Sequence, residues 1–420
     1  MIDTLVSRQY LAAFGSRSFD PQRSVKLQYF IAYAVMGSLM PFLSVLLKQQ
    51  GLDEAQIGYA MGASSLAILL TPVVVTLLAD SRHDSRRLVA AVFAVSSIAL
   101  AALRFVHGFW PTVVLLCLHS LAYVAMIPLQ DGLNFAVQRH REAAGHPVTP
   151  YHKIRVWGTL GFILPSILLF GLLREGGVVD ASLIAATAFC LLGLVNSLRL
   201  PDPRIYVAES TPHATASSQL PTAAAGRALL RRPVLVFCVG MMLSHIASSA
   251  YYGFFPLYLT EVVGVEERWI GPIFNAGVVL EIGYMLSFGW LINRLGFKRF
   301  MIVGIICMGL RMALLAAYPS AVVAVGSQAI HGMVVLAMQV APAMYLNRQA
   351  GDQYRSSIQG LYTMAVAGTS RVAGSLIAGQ LAQDSLLHLF GYAAALSLVA
   401  AALFLFAFRD DSPFTIEGEG

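Results

Sequence analysis

The chain has 420 residues, of which 57% are hydrophobic and 12% are charged, and its mean hydropathy is +0.69. Soluble globular chains carry roughly 25% charged residues, so this composition excludes an ordinary soluble domain and indicates a protein that lies mostly in lipid. The formal charge of +6 does not indicate a nucleic-acid partner, because the basic residues are spread over short loops and form no single basic surface.

The first 25 residues carry Arg8, Arg17, Asp20 and Arg23, and they lack an apolar core followed by a small-residue cleavage site. A removable signal peptide needs both features. We therefore expect residues 1–25 to form a cytoplasmic N-terminal segment.

Apolar runs long enough to cross a bilayer occur twelve times along the chain. A helix needs about 20 mostly apolar residues to cross a hydrocarbon core of roughly 30 Å, and each half of the chain holds six such runs. They predict an all-α membrane protein with twelve transmembrane helices. The predicted bounds of spans 1 to 12, in order, are 27–49, 56–79, 88–106, 110–135, 153–173, 181–199, 234–260, 269–292, 300–318, 320–346, 357–382 and 387–408.

Lysine and arginine indicate the orientation of the spans, because these residues are enriched in cytoplasmic loops. With both termini inside, 22 of the 28 lysines and arginines fall on the cytoplasmic side. We therefore predict a multi-pass protein of the inner (plasma) membrane, with both termini in the cytoplasm.

Residues 200–232 separate the two halves and differ from them in composition. This segment contains four prolines and an Ala/Ser/Thr-rich stretch, which cannot bury a core of its own. We expect a flexible cytoplasmic linker here, between a first six-helix bundle at 26–199 and a second at 233–409. Residues 410–420 are then a cytoplasmic tail.

The two halves are related by an internal repeat. A shift of 213 residues superposes Gly51 on Gly264 and Gly58 on Gly271, so equivalent positions have the same spacing in both halves. Parallel six-span repeats are typical of transporters that bind their substrate near the midplane, between the halves. The repeat therefore predicts two pseudo-symmetric bundles with a substrate site at their interface.

The loop after span 8 carries a glycine-flanked basic motif. It reads Gly-Trp-Leu-Ile-Asn-Arg-Leu-Gly-Phe-Lys-Arg over 289–299 and resembles the loop signature of the major facilitator superfamily, with Asn293 in place of an aspartate. The equivalent loop of the first half keeps an acid, Asp80, and a basic tail but lacks the glycines. We predict that Asp80 and Arg294 are gating residues, which hold helix ends together in one access state. The alternative is that these basic residues only determine topology.

Six ionisable residues lie inside the predicted spans. A charge near the bilayer centre costs at least about 2.5 kcal/mol, so such residues are expected to line a wet cavity or to pair with one another. The six are Asp131, Arg155, Glu281, Arg311, His331 and Arg371.

Asp131 and Arg155 lie near the predicted cytoplasmic ends of spans 4 and 5. Asn134 follows Asp131 by one turn on the same helix face, and Phe162 follows Arg155 by two turns. We expect the four side chains to share one cavity, with Phe162 as an aromatic platform. The alternative is that Asp131 and Arg155 form a plain ion pair at the membrane boundary.

Glu281, Arg311 and His331 each lie near the middle of a predicted span in the second half. An acid, a fixed cation and a titratable imidazole are the elements of a proton relay, and we expect the bundle to bring them together. Arg371 has two interpretations, since it either has a functional role or neutralises Glu281. A lone histidine in an apolar span is usually a core residue, and we interpret His119 in that way.

The pattern resembles the lactose permease branch of the major facilitator superfamily, which includes oligosaccharide, phenylpropionate and nucleoside proton symporters. The resemblance covers nearly the whole chain. It is most specific in Pro-Leu-Gln-Asp at 128–131, in the run 151–162, in Glu281 and Arg311, and in Gln-Ala-Ile-His-Gly at 328–332.

In such relatives the acid of span 4, the arginine of span 5 and the aromatic residue after it contact substrate, while residues of spans 8, 9 and 10 couple substrate to protons. One departure is Val334, because the lactose permease type has a carboxylate three residues after the histidine. The protonated group is then Glu281, Asp131 or His331, or coupling is absent. The predicted substrate contacts are Asp131, Asn134, Arg155, Phe162, Tyr284 and Gln328, and the predicted coupling residues are Glu281, Arg311 and His331.

Taken together, these features predict a secondary active transporter that moves a small polar or aromatic solute, such as a sugar, nucleoside or aromatic acid, by proton symport. Its partners are expected to be that solute, protons and the lipid bilayer, and we expect a monomer without a cofactor. An enzyme is not expected, because the sequence has no metal motif and no nucleophile with its base. The alternatives are an exporter of drugs or metabolites with the same fold, or a membrane assembly factor that does not transport.

Overall fold

The computed structural model describes residues 21–80, 85–143, 145–172, 178–201, 223–350 and 355–409. Those residues are almost entirely helical, and no β-strand occurs among them. The predictions for residues 1–20, for most of the linker and for the tail at 410–420 fall outside the described ranges.

The described helices of the first half coincide with predicted spans 1 to 6. Span 1 is interrupted at Pro41, which lies in a 3₁₀ turn, because proline lacks the backbone N–H that a continuous α-helix uses. The helices are Pro21–Leu39, Met40–Phe42 (3₁₀) and Leu43–Gln49 in span 1, Glu54–Asp80 in span 2, Ser85–Leu103 in span 3, Phe109–Tyr123 and Met126–Ala143 in span 4, Tyr151–Leu172 in span 5 and Val178–Ser197 in span 6.

The second half begins with a short helix in the linker region, Ala223–Leu229, and continues through spans 7 to 12. Its helices are Arg232–Leu257 and Tyr258–Val262 (π) in span 7, then Glu267–Trp269 (3₁₀), Ile270–Leu286 and Phe288–Leu295 in span 8, Phe297–Ala317 in span 9, Ala321–Gly326, Ser327–Ile330 (3₁₀), His331–Val335, Leu336–Val340 (π) and Ala341–Ala350 in span 10, Arg355–Tyr362, Thr363–Gly368 (π) and Thr369–Asp384 in span 11, and Leu386–Phe406 in span 12.

Spans 8 and 10 differ from the continuous helices that the sequence predicts. Span 8 breaks at Ser287, whose N–H donates to the carbonyl oxygens of both Gly283 and Tyr284 at 3.1 Å. Span 10 changes helix type four times, and its π segment lies just before Pro342. A proline ring clashes with the carbonyl four residues earlier, and a widened turn relieves that clash.

The membrane-spanning character of the chain is clear in the structure. Among the described residues, nine helical stretches are long and apolar enough to cross a membrane, and Ala181–Ser197 is a shorter apolar helix. The helices Glu54–Asp80 and Thr369–Asp384 lie at the predicted positions of spans 2 and 11. Helices thus lie at all twelve predicted positions, and the prediction of an all-α membrane protein is confirmed.

The repeat glycines have the same conformation in both halves. Gly51 has a φ of +89° and Gly264 a φ of +74°, each at the turn that follows the first span of its half. A residue with a Cβ atom is strained in this left-handed backbone conformation, so both turns need glycine. The sequence repeat therefore corresponds to a repeat of backbone geometry.

The two halves contact each other closely at the end of the molecule where these two turns lie, which we call the Gly51 end. Gly58 of span 2 packs on Gly379 of span 11, and Gly271 of span 8 packs on Ser166 of span 5. These two crossings involve equivalent repeat positions. Hydrogen bonds across the same end join Asn275 Nδ2 to the Ile163 carbonyl (3.1 Å), Gln380 Nε2 to Tyr59 Oη (3.0 Å) and Gln49 Nε2 to Glu267 Oε1 (2.6 Å).

Candidate functional site

A buried arginine is at the centre of a polar cluster in the second half. Arg311 of span 9 is 2% exposed. Its guanidinium donates to Gln328 Oε1 at 2.6 Å and to Tyr251 Oη, and its Cζ lies 3.7 Å from the centre of the Tyr251 ring. Arg311 Nη1 is 3.0 Å from His331 Nδ1. A charge removed from water is thus held by neutral polar groups from spans 7 and 10.

His331 connects this arginine to Glu281. An arginine is a donor at neutral pH, so His331 Nδ1 accepts from Arg311 and the ring carries its proton on Nε2. His331 Nε2 lies 3.9 Å from Glu281 Oε2. The imidazole N–H therefore faces the carboxylate of span 8, and Glu281, His331 and Arg311 form one chain of polar groups.

The irregular backbone of span 10 positions two members of the cluster. Gln328 lies in the 3₁₀ turn Ser327–Ile330, and His331 begins the helical segment that follows. Side chains three residues apart are nearly eclipsed in a 3₁₀ helix, so Gln328 and His331 both point toward span 9. This local winding lets two side chains of one helix bind the same guanidinium.

In the first half, Asp131 is bonded to two tyrosines. Tyr29 of span 1 donates to Asp131 Oδ1 in a short hydrogen bond, and Tyr151 Oη lies 3.2 Å from the same oxygen. The Tyr151 ring also stacks on Phe135, with ring centres 5.2 Å apart. Asp131 is therefore held by spans 1 and 5 of its own bundle.

Arg155 does not form an ion pair with Asp131, although the structure describes both residues. Instead, Arg155 Cζ lies 4.2 Å from the centre of the Tyr33 ring, in a cation–π contact. The charges of Arg155 and Asp131 both act on Tyr33. Arg155 also attracts Glu281 across the interface between the halves.

Other predicted substrate contacts lie in packed regions. Asn134 is 1% exposed and Gln328 is also 1% exposed, the latter fully engaged with Arg311 and Tyr251. The backbone of Phe162 packs against Gly37 of span 1. Tyr284 Oη donates to the Ala329 carbonyl at 3.0 Å. In this conformation Gln328, Phe162 and Tyr284 contact neighbouring helices, whereas Asn134 Nδ2 is buried without a hydrogen-bond partner among the described residues.

The predicted gating loops differ in how much of them is described. Asp80 ends the helix of span 2, and its side chain is outside the described part of the chain. Arg294 is exposed, with Cζ 5.3 Å from the Trp290 ring centre. Gly296 of the motif has a φ of +72°, and Lys298 Nζ donates to the Leu405 carbonyl at 2.9 Å. The motif loop thus contacts the last turn of span 12 through Lys298.

Tyr251 and Tyr29 are among the members of these clusters that were not predicted site residues. Each lies in an apolar span, with no local pattern that separates it from neighbouring aromatic residues such as Tyr252. Their partners, Arg311 and Asp131, come from other spans. The signal that identifies them is therefore the buried charge, which needs polar partners that a single span does not supply.

A cavity of about 350 Å³ lies between the halves beside the polar cluster. Spans 1, 2 and 4 of the first half and spans 7 and 11 of the second half line it. Tyr252 is on its wall, and the Tyr252 ring centre lies 6.5 Å from that of His331. The described residues include no group of three His, Cys, Asp or Glu side chains that could hold a metal ion.

Comparison with known proteins agrees with this architecture. A family model described as "MFS_1 like family" matches residues 22–392, and the chain belongs to that family. It is 26% identical to a probable 3-phenylpropionic acid transporter of Escherichia coli (strain K12), over 86% of this chain and 91% of the relative. It is 22% identical to the nucleoside permease NupG of the same organism, over 86% and 87% of the two chains.

A crystal structure of the nucleoside transporter NupG has the same fold, with a TM-score of 0.82 at 19% identity, over 93% of this chain and all of that one. The family and the twelve helical positions define a major facilitator transporter of small solutes. The predictions of this fold and of a transport function are confirmed. Since the relatives are transporters and permeases, the chain is not an enzyme.

Proposed function

We propose that this protein is a proton symporter that carries a small polar or aromatic solute, in the sugar, nucleoside or aromatic acid class, across the inner membrane by alternating access. It acts as a monomer with both termini in the cytoplasm. The bundles at 26–199 and 233–409 rock against each other, and the linker at 200–232 allows that motion.

The observation that carries this proposal is the chain of polar groups from Glu281 through His331 to Arg311. Such groups are costly at membrane depth and are expected where protons or polar solutes pass. Val334 removes the carboxylate that the lactose permease type has in this region, so another group has to accept the proton. The geometry favours Glu281 for that role.

Glu281 is favoured because the alternatives already have hydrogen-bond donors. His331 Nδ1 accepts from Arg311, and Asp131 accepts from two tyrosines. Glu281 has its nearest polar contact at 3.9 Å, and its side chain is 24% exposed. A proton can therefore reach this carboxylate without breaking a close hydrogen bond.

Protonation of Glu281 also supplies a physical link to the conformational change. Ionised Glu281 attracts Arg155 of the other half and the N–H of His331. The neutral acid loses most of both attractions, so a proton changes the relative free energy of states in which the halves are close or apart. Solute that contacts Arg155 competes for the same charge, which couples solute binding to protonation.

Uptake into proteoliposomes tests proton coupling. Labelled uridine, maltose and 3-phenylpropionate represent the three solute classes, and each is measured with and without an imposed pH gradient of one unit. A one-proton symporter accumulates its solute up to about tenfold per pH unit, because one unit corresponds to 1.36 kcal/mol. Equal accumulation with and without the gradient would refute proton symport.

Glu281→Gln removes the titratable group while keeping its size. We expect this variant to lose gradient-driven accumulation but to keep exchange of solute down its own gradient. Glu142→Gln, at an exposed acid near the end of span 4, is the matched control and is expected to behave as wild type. Reversing the gradient distinguishes an importer from an exporter, and an assembly factor would show no solute flux in any of these vesicles.

A further inference from the structure

The cavity between the halves contains a cation that the proton relay does not use. Arg371 lies midway along span 11 and lines the cavity. Its side chain is exposed, and the space it faces is this cavity. It forms no hydrogen bond or ion pair with any residue that the structure describes.

The interpretation that Arg371 neutralises Glu281 does not hold in this conformation. No carboxylate of the described residues forms an ion pair with Arg371, and the polar contact of Glu281 is with His331 Nε2, at 3.9 Å. A guanidinium at this depth is costly without an anion. Because the described protein supplies none, the structure points to an anion that enters the cavity from outside.

Another part of the cavity lining has a different character. Met36 and Met40 of span 1 and Met61 of span 2 contribute thioether side chains to it. Methionine is flexible and polarisable, so it adapts to apolar and aromatic bodies of different shape. The cavity lining therefore combines a fixed charge with an adaptable apolar surface, which we call the methionine wall.

Two aromatic side chains complete the site. His119 lines the cavity from span 4 and is 8% exposed, and its Nδ1 has no hydrogen-bond partner among the described residues. The His119 ring stacks on Tyr123, with ring centres 5.2 Å apart. His119 is thus buried, as expected of a core residue, but one of its ring nitrogens has no partner among the described residues. From the other half, Tyr252 lines the same cavity as Arg371, and its ring centre lies 6.5 Å from that of the relay residue His331.

The hydroxyl groups near Arg371 do not compete with it as donors. Ser248 and Ser249 each donate to the His245 carbonyl, at 2.9 and 3.1 Å. Their oxygens present lone pairs to the cavity, whereas an anion needs N–H or O–H groups. Arg371 is thus the strong donor of this site, and its five N–H groups match a carboxylate in a bidentate arrangement.

We propose that Arg371 binds the carboxylate of the transported solute, and that the apolar, ring-sized body of that solute packs between Tyr252 and the methionine wall. This inference rests on the proposed transport function and narrows its solute class to organic monoanions. A volume of about 350 Å³ is at the small end of ligand sites, which suits a single-ring acid better than an oligosaccharide. The bound ring also lies beside Tyr252, whose ring contacts His331. Solute binding therefore affects the surroundings of a proton-relay residue.

Binding measurements on purified protein test the proposal. The probes are 3-phenylpropionate, the alcohol 3-phenylpropan-1-ol with the same apolar body and no charge, and sodium chloride alone. We expect the carboxylate to bind wild-type protein at least about tenfold more tightly than the alcohol, since a charged hydrogen bond is lost without it. Chloride alone is expected to leave the melting temperature unchanged.

Three variants identify the residue responsible. Arg371→Gln is expected to reduce carboxylate affinity about tenfold or more and to leave alcohol affinity unchanged. Arg371→Lys keeps the charge but loses the planar fork, so its affinity is expected to lie between those of wild type and Arg371→Gln. Arg409→Gln, at an exposed arginine after span 12, is the control and keeps wild-type affinity. The lysine variant keeps the test valid should the glutamine variant fail to fold.

Several results would overturn the proposal. Equal affinity of carboxylate and alcohol would do so, as would unchanged carboxylate affinity in both Arg371 variants, or protection by chloride equal to that by the carboxylate. Uptake of uridine or maltose by both wild type and Arg371→Gln, without binding of 3-phenylpropionate, would overturn this inference and leave the transport function intact. No flux of any probe in wild type would instead refute the transport function.

Discussion

Substitution of Gly58 by alanine tests how the halves close at the Gly51 end. A Cβ atom at Gly58 would lie 2.6 Å from Gly379 Cα and 2.6 Å from the Ser375 carbonyl oxygen. Both are backbone atoms, so neither can move aside by rotating a side chain. Carbon atoms in contact are normally about 3.5 to 4.0 Å apart, and spans 2 and 11 would have to separate by about 1 Å.

The size of the effect follows from that clash. Forcing one extra carbon into a packed contact costs about 1 to 3 kcal/mol. This destabilises the state in which the Gly51 end is closed, because only there are spans 2 and 11 in contact. The equilibrium between access states should therefore shift about 5- to 150-fold toward the state open at this end. Gly271→Ala should shift it somewhat less, because its new Cβ meets Ser166 Cβ at 2.7 Å and Ser166 Cα at 3.2 Å, so the backbone contact is longer than at Gly58.

Spin labels report this shift directly. Phe105 and Tyr318 are exposed, lie in the loops after spans 3 and 9, and belong to different halves. Both residues are replaced by spin-labelled cysteines, and the four native cysteines are replaced by serine. Double electron–electron resonance then gives the distribution of distances between the two labels, one in each half. We expect Gly58→Ala to add a longer distance, while Gly132→Ala, where a Cβ has open space, keeps the wild-type distribution. Identical distributions for all three proteins would refute the reasoning.

Two further predictions concern stability. Gly296→Ala puts a Cβ at a φ of +72° in the turn before span 9, and it should destabilise the protein by about 1 to 2 kcal/mol, measured as a lower melting temperature in detergent. Gly161→Ala directs a Cβ at the Phe30 carbonyl, where spans 1 and 5 cross, and should cost about 1 to 3 kcal/mol. Gly171→Ala, on the same span with open space around it, is the control, and equal melting temperatures for the two span 5 variants would contradict the packing argument.

The sequence alone predicts the arrangement of the spans well. Apolar runs identify helices because each has to cross the same thickness of hydrocarbon, and the repeat identifies Gly51 and Gly264, whose turns need a positive φ. The structure also brings Glu281, Arg311 and His331 together, as the sequence leads us to expect, since buried charges need each other or water. The roles of these residues in proton coupling stay a prediction.

Other features depend on tertiary contacts that no local pattern encodes. The partner of Arg155 is the Tyr33 ring and not Asp131, because two tyrosines from spans 1 and 5 already hold the aspartate. Gln328, a predicted substrate contact, instead binds Arg311, which depends on the 3₁₀ turn of span 10. Hydropathy reports that a segment is helical but carries no information about its winding.

That winding makes the charged cluster sensitive to a very small motion. In an α-helix, residues three apart are separated by about 300° around the axis, whereas a 3₁₀ helix brings them into line. Relaxing the single turn Ser327–Ile330 to α-helical geometry would rotate His331 by about 60° relative to Gln328, so one of them would release Arg311. About 60° of local rewinding in one helix can thus disconnect an acid in span 8 from a cation in span 9, before either bundle has moved as a body.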